Sequence, residues 1–303
     1  MPEIILHHYD LSPYAEKIRV ALGVKELAWR SVQIPIVAPK PKLTALTGGY
    51  RLTPVMQIGA DVYCDTRCIA RELERRHPTP TLHPGPSPAV ERGLAYWGES
   101  MFMDVVALFL TVEGLIPPGF IEDRDKMIPG GIDIEQIKAV VPAKRDQLRA
   151  KLDILERHLA AGGPFLLGDR VSLADLSVYH PLWGLASVPP GGPLLEPCPS
   201  VRAWLARVAA IGHGTRQEMD ADEALAVARA ATPATAPGAD PGDPNGRKHG
   251  ARLAICPEAY GRDPVAGELV WSDAHEIAIK RTDPGLGEIV VHFPREGILT
   301  FAA

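Results

Sequence analysis

The spacing of apolar positions changes several times along the 303-residue chain, and each change marks a new element. A short apolar run, Ile4-Ile5-Leu6, leads through polar residues to Ser12-Pro13, after which Ala15, Ile18, Ala21 and Leu22 recur three and four residues apart. That spacing is one buried face of a helix. The opening therefore reads as a strand over 4–8, a tight turn, and a helix over 13–22. Ser12 stands where an N-cap belongs, and Pro13 at the first helical position, where a missing N–H costs nothing. A second strand is predicted over 27–34. Pro35, Pro39 and Pro41 then break the pattern, leaving room for a short helix over 42–46. A third strand follows over 53–58, a turn at Gly59-Ala60-Asp61, and a short strand over 62–64. A helix over 66–76 buries Ile69, Ala70 and Leu73. The order β-α-β-α-β-β-α predicts a mixed sheet with helices packed on it.

Five prolines between 78 and 88 make an irregular boundary. From 89 onward the spacing is helical. Leu94, Trp97, Met101, Val105 and Leu108 mark one long helix, and Leu148, Leu152, Leu155 and Leu159 another, with a Pro- and Gly-rich loop over 116–131 between them. Ser172 and Asp175 have capping-box spacing ahead of an apolar helix. Val201, Trp204, Leu205 and Val208 mark a later helix, and the alanine-rich stretch 221–231 suits one more. Pro, Gly, Ala and Asp dominate 232–250, which reads as a flexible linker. Beyond it, short strand-like runs at 252–255, 268–271, 276–280, 288–293 and 297–301, with a turn at Asp283-Pro284-Gly285, read as a small all-β domain, with a compact barrel as one form of it. The predicted organisation is an α/β unit over 1–83, an all-helical domain over 89–230 and an all-β domain over 251–303.

Composition adds exclusions. The net charge is −5 with no Lys/Arg tract, so nucleic acid and anionic membranes are poor partners. No basic start precedes a long apolar run, and no stretch reaches about 18 uninterrupted apolar residues; the expectation is a cytoplasmic protein. Cys64, Cys68, Cys198 and Cys256 are too few and too scattered for a disulfide framework, and no metal-ligand spacing surrounds them.

The candidate chemistry sits at the first turn. A serine hydroxyl at a helix N-terminus joins free N–H groups and the positive dipole end, a setting that favours an anion and lowers the pKa of a bound thiol. The same serine can equally do no more than cap the helix. Three further features accompany it in order: Thr53-Pro54-Val55 at a strand start, Asp65-Thr66 at the next helix start, and Ser172-Leu173-Ala174-Asp175, a structural capping box, in an all-helical second half. With Ser12-Pro13-Tyr14 they form an ordered set over 1–215 that resembles the cytosolic glutathione transferases of the serine type.

The resemblance implies a thioredoxin-like N-terminal domain, an all-α second domain and a homodimer. It implies that Ser12 holds the glutathione thiolate, with Tyr9, where other classes place a catalytic tyrosine, as second choice. Thr53 and the cis Pro54 would meet the cysteinyl part of glutathione, a cis bond being cheap before proline. Asp65 and Thr66 would hold the γ-glutamyl end, through an ion pair to its ammonium and hydroxyl and N–H contacts to its carboxylate. Glutathione is then a co-substrate, a small electrophile the second substrate, and no further cofactor or metal is expected. Asp-Thr stands where the family more often has Glu-Ser or Gln-Ser. The extra β domain lies outside the usual pattern. Cys64 beside Asp65 is expected to be a buried small hydrophobe, and Lys17 and Arg19 to lie on a solvated helix face. Without a cysteine at Ser12-Pro13-Tyr14-Ala15, thiol–disulfide exchange through that position is excluded. The leading reading is a glutathione transferase. A scaffold that keeps the fold without turnover, and a glutathione-dependent reductase or peroxidase using Cys64, are the alternatives.

Overall fold

The computed structural model describes residues 2–303. The α/β unit comprises β1 (Ile5–His8), α1 (Pro13–Val24), β2 (Ala28–Gln33), α2 (Pro41–Thr47), β3 (Val55–Ile58), β4 (Asp61–Cys64) and α3 (Thr66–Arg76). The β1 strand runs parallel to β2 and antiparallel to β3, which in turn pairs antiparallel with β4. Helices follow: α4 (Pro88–Leu110), α5 (Phe120–Asp125), α6 (Ile134–Ala161), α7 (Leu173–Ala186), the short α8 (Gly192–Leu195) and α9 (Pro199–Ala209). The chain then makes β5 (Thr215–Glu218), α10 (Ala221–Ala230) and the strands β6 (Arg252–Pro257), β7 (Val265–Ser272), β8 (Glu276–Asp283), β9 (Gly287–Pro294) and β10 (Ile298–Ala302).

One core joins the first unit to the helices: Leu6, Ile18, Leu22, Ile69 and Leu73 are contiguous with Met101, Val105, Leu152, Tyr179 and Trp204. Gly98 lets α4 approach α7 closely, since a Cβ there would stand 2.6 Å from the Ser177 carbonyl oxygen. Among the described residues α4 is the one helix whose length and mean hydropathy would let it cross a membrane. Here it packs between α6 and α7 as a core element. Glu16, on α1, adds a polar tie across the two units: it accepts from Tyr179 of α7 at 3.3 Å and from Arg19 at 2.8 Å.

The C-terminal strands form where the apolar runs predict them, but not as a barrel. All ten strands make one open sheet in the order β10-β6-β7-β8-β9-β4-β3-β1-β2-β5. The joint is β4 against β9, parallel, with Val62 opposite Val291 and Tyr63 opposite His292. The physical reason is the β4 edge itself. Its residues are buried, and an apolar strand edge needs a partner. Val55, Val62, Ile277, Ile279, Val291 and Phe293 consequently share a second core that belongs to neither half alone. At the opposite edge β5 pairs with β2, Trp29 facing Arg216.

The stretch over 232–250 also differs from the flexible linker its composition suggests. It is hydrogen-bonded along the sheet: the Ala234 N–H and Thr235 hydroxyl donate to Asp61 at 2.7 and 2.6 Å, and Gly238 N–H to the Val270 carbonyl at 2.8 Å. Arg295 donates to Asp243 at 2.8 Å, and its charge, with backbone N–H donors, outweighs burial and holds that carboxyl down at about 2.

Candidate functional site

Strand register gathers the predicted residues. His7 of β1 faces Val55 at the start of β3, and Val55 faces Cys64 at the end of β4. The turn after β1 with Tyr9 and Ser12, the approach to β3 with Thr53 and Pro54, and the start of α3 with Asp65 and Thr66 therefore emerge at one end of three adjacent strands. Strands lie about 4.8 Å apart, so these groups share one small region.

Ser12 is the N-cap of α1 and only 3% exposed. Its Oγ accepts from the Ala15 N–H at 3.2 Å, and its own O–H remains available as a donor. The Thr53–Pro54 peptide is cis. Asp65 caps α3 at φ +74°, a left-handed conformation that costs a residue with a Cβ about 1–3 kcal/mol and commonly marks a functional position. Thr66, the first helical residue, is buried. The Asp65 carboxylate is engaged within the chain: it accepts from the Arg67 N–H at 2.8 Å and from the Arg67 guanidinium at 3.0 and 3.1 Å. An incoming ammonium would share it with that guanidinium.

Tyr9 is half-buried, with the Lys40 ammonium 5.7 Å from its ring centroid. Lys40 escaped the sequence reading because nothing in the local pattern marks it. Burial and the neighbouring Arg124 lower its pKa to about 8. Beside it, Asp123 pairs with Arg51 at 2.5 Å and with Arg124. Three cations against one carboxylate leave this rim positive, suited to a ligand carboxylate. Tyr14 packs edge-on to Phe102 at 4.8 Å and near His180 at 4.6 Å.

The expectation of a solvated face for Lys17 and Arg19 is overturned. Each is 2% exposed. Arg19 is held by Glu16, by His8 Nδ1 at 3.1 Å and by the Asp10 carbonyl at 2.9 Å. Lys17 reaches Glu99 of α4 at 4.0 Å and the Arg19 guanidinium lies 6.0 Å from the Trp183 ring of α7, so the helical half covers both. Cys64 is buried as expected, and burial followed by the charge of Asp65 pushes its thiol well above its ordinary pKa. Among the described residues no group of His, Cys, Asp and Glu could hold a metal ion.

Comparison with known proteins now bears on this geometry. The family model "Glutathione S-transferase, N-terminal domain" matches residues 6–81, and "Glutathione S-transferase, C-terminal domain" matches 138–207. A GST-like protein from Pseudomonas syringae, of known crystal structure, is 40% identical, with all of both chains covered and a TM-score of 0.82. The chain belongs to the glutathione S-transferase family.

Other known proteins match less of the chain. FtsZ-localized protein A from Caulobacter vibrioides is 29% identical over 182 residues, covering 58% of this chain and 74% of that protein. The apo structure of glutathione S-transferase III is 26% identical, with 69% of this chain and 92% of that one covered and a TM-score of 0.52. The C-terminal sheet of this transferase-family chain is thus included in the Pseudomonas match, which spans the whole chain.

Proposed function

We propose that this chain binds glutathione at the sheet end described above and that Ser12 holds its thiolate for attack on a small electrophile. The observation that carries this reading is the Ser12 hydroxyl. Its Oγ accepts from the Ala15 N–H, and its O–H proton remains available to an anion at the α1 N-terminus. A thiolate held there is more abundant near neutral pH and is the nucleophile. The γ-glutamyl end would lie at Asp65 and Thr66, the cysteinyl part at Thr53 and Pro54, and the glycyl carboxylate toward Lys40. Glutathione is the co-substrate in this scheme. A homodimer and a cytoplasmic location accompany it as expectations from the family.

Calorimetry with glutathione on wild type and Ser12→Ala, with bound-thiolate absorbance followed against pH, tests the reading. Wild type should bind with a lowered thiol pKa. Ser12→Ala should raise that pKa and lower kcat/KM roughly 100-fold, the scale for losing one donor to a developing or bound anion. No binding by wild type at millimolar glutathione would sink the proposal.

A second reading, a scaffold without turnover, is favoured by the closure of the site: Ser12 is 3% exposed and Asp65 is already paired with Arg67. A relative named for localisation with FtsZ points the same way. The redox reading through Cys64 predicts that Cys64→Ala abolishes activity. With its thiol buried and its pKa raised, Cys64→Ala should instead keep turnover within about twofold, and wild type should resist alkylation by iodoacetamide under native conditions.

A further inference from the structure

The two edges of the open sheet are chemically unlike. At one end β5 reads Thr-Arg-Gln-Glu, and charged side chains such as Arg216 and Glu218 discourage further pairing at an edge. At the other end β10 reads Ile-Leu-Thr-Phe-Ala, with neither charge nor proline, and Phe301 is 51% exposed. Among the described residues no strand pairs with the outer side of β10. The hydrogen bonds to β6 identify its spare backbone groups. The Gly297 carbonyl accepts from the Glu258 N–H at 3.0 Å, and the Ala303 N–H donates to the Arg252 carbonyl at 3.1 Å. Backbone groups alternate sides along a strand, so Leu299 and Phe301 turn theirs to Cys256 and Ala254. Ile298, Thr300 and Ala302 therefore turn theirs to the open edge.

We propose that a second copy of this chain pairs with β10 through that edge, antiparallel about a two-fold axis at Thr300, so that the two sheets become one. Thr300 then meets Thr300, and Ile298 meets Ala302, in hydrogen-bonded positions, which gives every spare N–H and carbonyl of the edge a partner. Leu299 meets Phe301 in the closer, non-hydrogen-bonded positions. Their Cβ atoms stand about 4.5–5.5 Å apart there, and the aliphatic and aromatic side chains cover each other. The pairing is isologous, so it closes at two copies.

Charge selects the same partner and the same direction. On the face that carries Leu299 and Phe301, the exposed Arg252 flanks one end of the edge and the exposed Glu258 the other. The two-fold axis exchanges these ends, so Arg252 of one copy shares a row with Glu258 of the second. Only Ala303 and Gly297, too small to obstruct, stand between them. A parallel pairing would instead bring like charges together at both ends. The strand lies outside the two matched transferase domains, at 138–207 and 6–81, and the inference is independent of the glutathione reading.

The test reads mass and cross-linking on the full chain. By light scattering at tens of micromolar, Thr300→Pro should have half the mass of wild type with an unchanged circular dichroism spectrum, since proline removes an outward N–H and leaves the bonds to β6 in place. Thr300→Cys should be trapped by diamide as a covalent dimer, because facing Cα atoms about 5.5 Å apart suit a disulfide. The four native cysteines are buried, so wild type should stay uncross-linked. Gln136→Cys, exposed on α6, is the control for chance encounters. A monomeric wild type overturns the proposal. So does a folded Thr300→Pro that keeps the wild-type mass, which would place any dimer contact elsewhere. Should proline disturb the fold, the cysteine pair decides: Thr300→Cys cross-linking no faster than Gln136→Cys overturns the interface.

Discussion

Replacing Asp175 by alanine should destabilise the chain by about 3–5 kcal/mol, with little direct effect on glutathione contacts. Asp175 is fully buried at the start of α7. Its Oδ1 accepts from the Leu166 N–H at 2.8 Å and the Trp204 indole at 3.0 Å. Its Oδ2 accepts from the Ser172 N–H at 2.9 Å and the Ser172 hydroxyl at 2.7 Å. Alanine would orphan all four donors in a place water cannot reach. One buried unsatisfied polar group costs about 1–3 kcal/mol, and partial relaxation keeps the total below the sum. The carboxylate also faces the positive end of α7, a favourable charge that is lost with it. Asp175→Asn keeps one acceptor oxygen and should lose about half as much. Urea unfolding at neutral pH gives the number. A loss below about 1 kcal/mol in Asp175→Ala would mean that these bonds do not hold α6, α7 and α9 together as described.

Asp175 was legible in the sequence because a capping box is a local device, complete within four residues. The same holds for α3, expected over 66–76 and found at Thr66–Arg76, and for Ser12, Pro54 and Asp65, each at an element boundary that punctuation residues mark. What escaped was whatever depends on contacts distant in sequence. The β5 segment, Thr-Arg-Gln-Glu, has no apolar alternation because it sits on an exposed edge and joins β2 through its backbone. Lys17 and Arg19 look like a solvated face until α4 and α7 cover them. The pairing of Asp61 with Val290 spans more than two hundred residues, so no periodicity could announce that β6–β10 continue the first sheet. Arg67 was missed at the site for a related reason: it is drawn onto Asp65 only by the turn of α3.

The two readings of the site differ in how tightly the C-terminal sheet closes it. An enzyme needs glutathione and an electrophile to reach the α1 N-terminus, whereas a scaffold does not. Beyond the β4–β9 joint, this sheet is tied to the helical half where Glu296 accepts from Tyr96 of α4 at 2.8 Å and the Gly261 N–H donates to the Met127 carbonyl at 2.9 Å.

That joint carries the second large prediction: His292→Ala should cost about 3–5 kcal/mol and loosen β9 from β4. His292 is buried at the seam, stacked on Tyr63 at 4.3 Å. Its Nδ1 lies 2.8 Å from Glu276, and its Nε2 3.0 Å from the Thr235 hydroxyl and 3.3 Å from Asp61. Burial alone would lower its pKa, but hydrogen bonds and charge from Asp61 and Glu276 overcome this and leave it above 6.5. Burial likewise pushes the Asp61 carboxyl up, and hydrogen bonds from His292, Thr235 and the Ala234 N–H overcome it, leaving it below 3.8. The signs then follow. The His292 contribution is fully present below pH 6.5 and is lost as pH rises through its raised folded value. The Asp61 contribution is present above pH 3.8 and is lost as pH falls through its lowered one. The joint should be firmest between about pH 4 and 6.5. Alanine at 292 removes the imidazolium between two buried carboxylates, leaving Glu276 to Arg71 and Asp61 to Thr235 and the Ala234 N–H, so the variant should lose the alkaline decline of wild type. Hydrogen exchange at the β4 and β9 amides reads the joint directly. Protection unchanged in His292→Ala, or a wild-type joint that firms as pH rises from 6 to 9, would remove the charged seam from this account. Faster exchange there, accompanied by greater access of glutathione to Ser12, would show that the sheet holds the site shut.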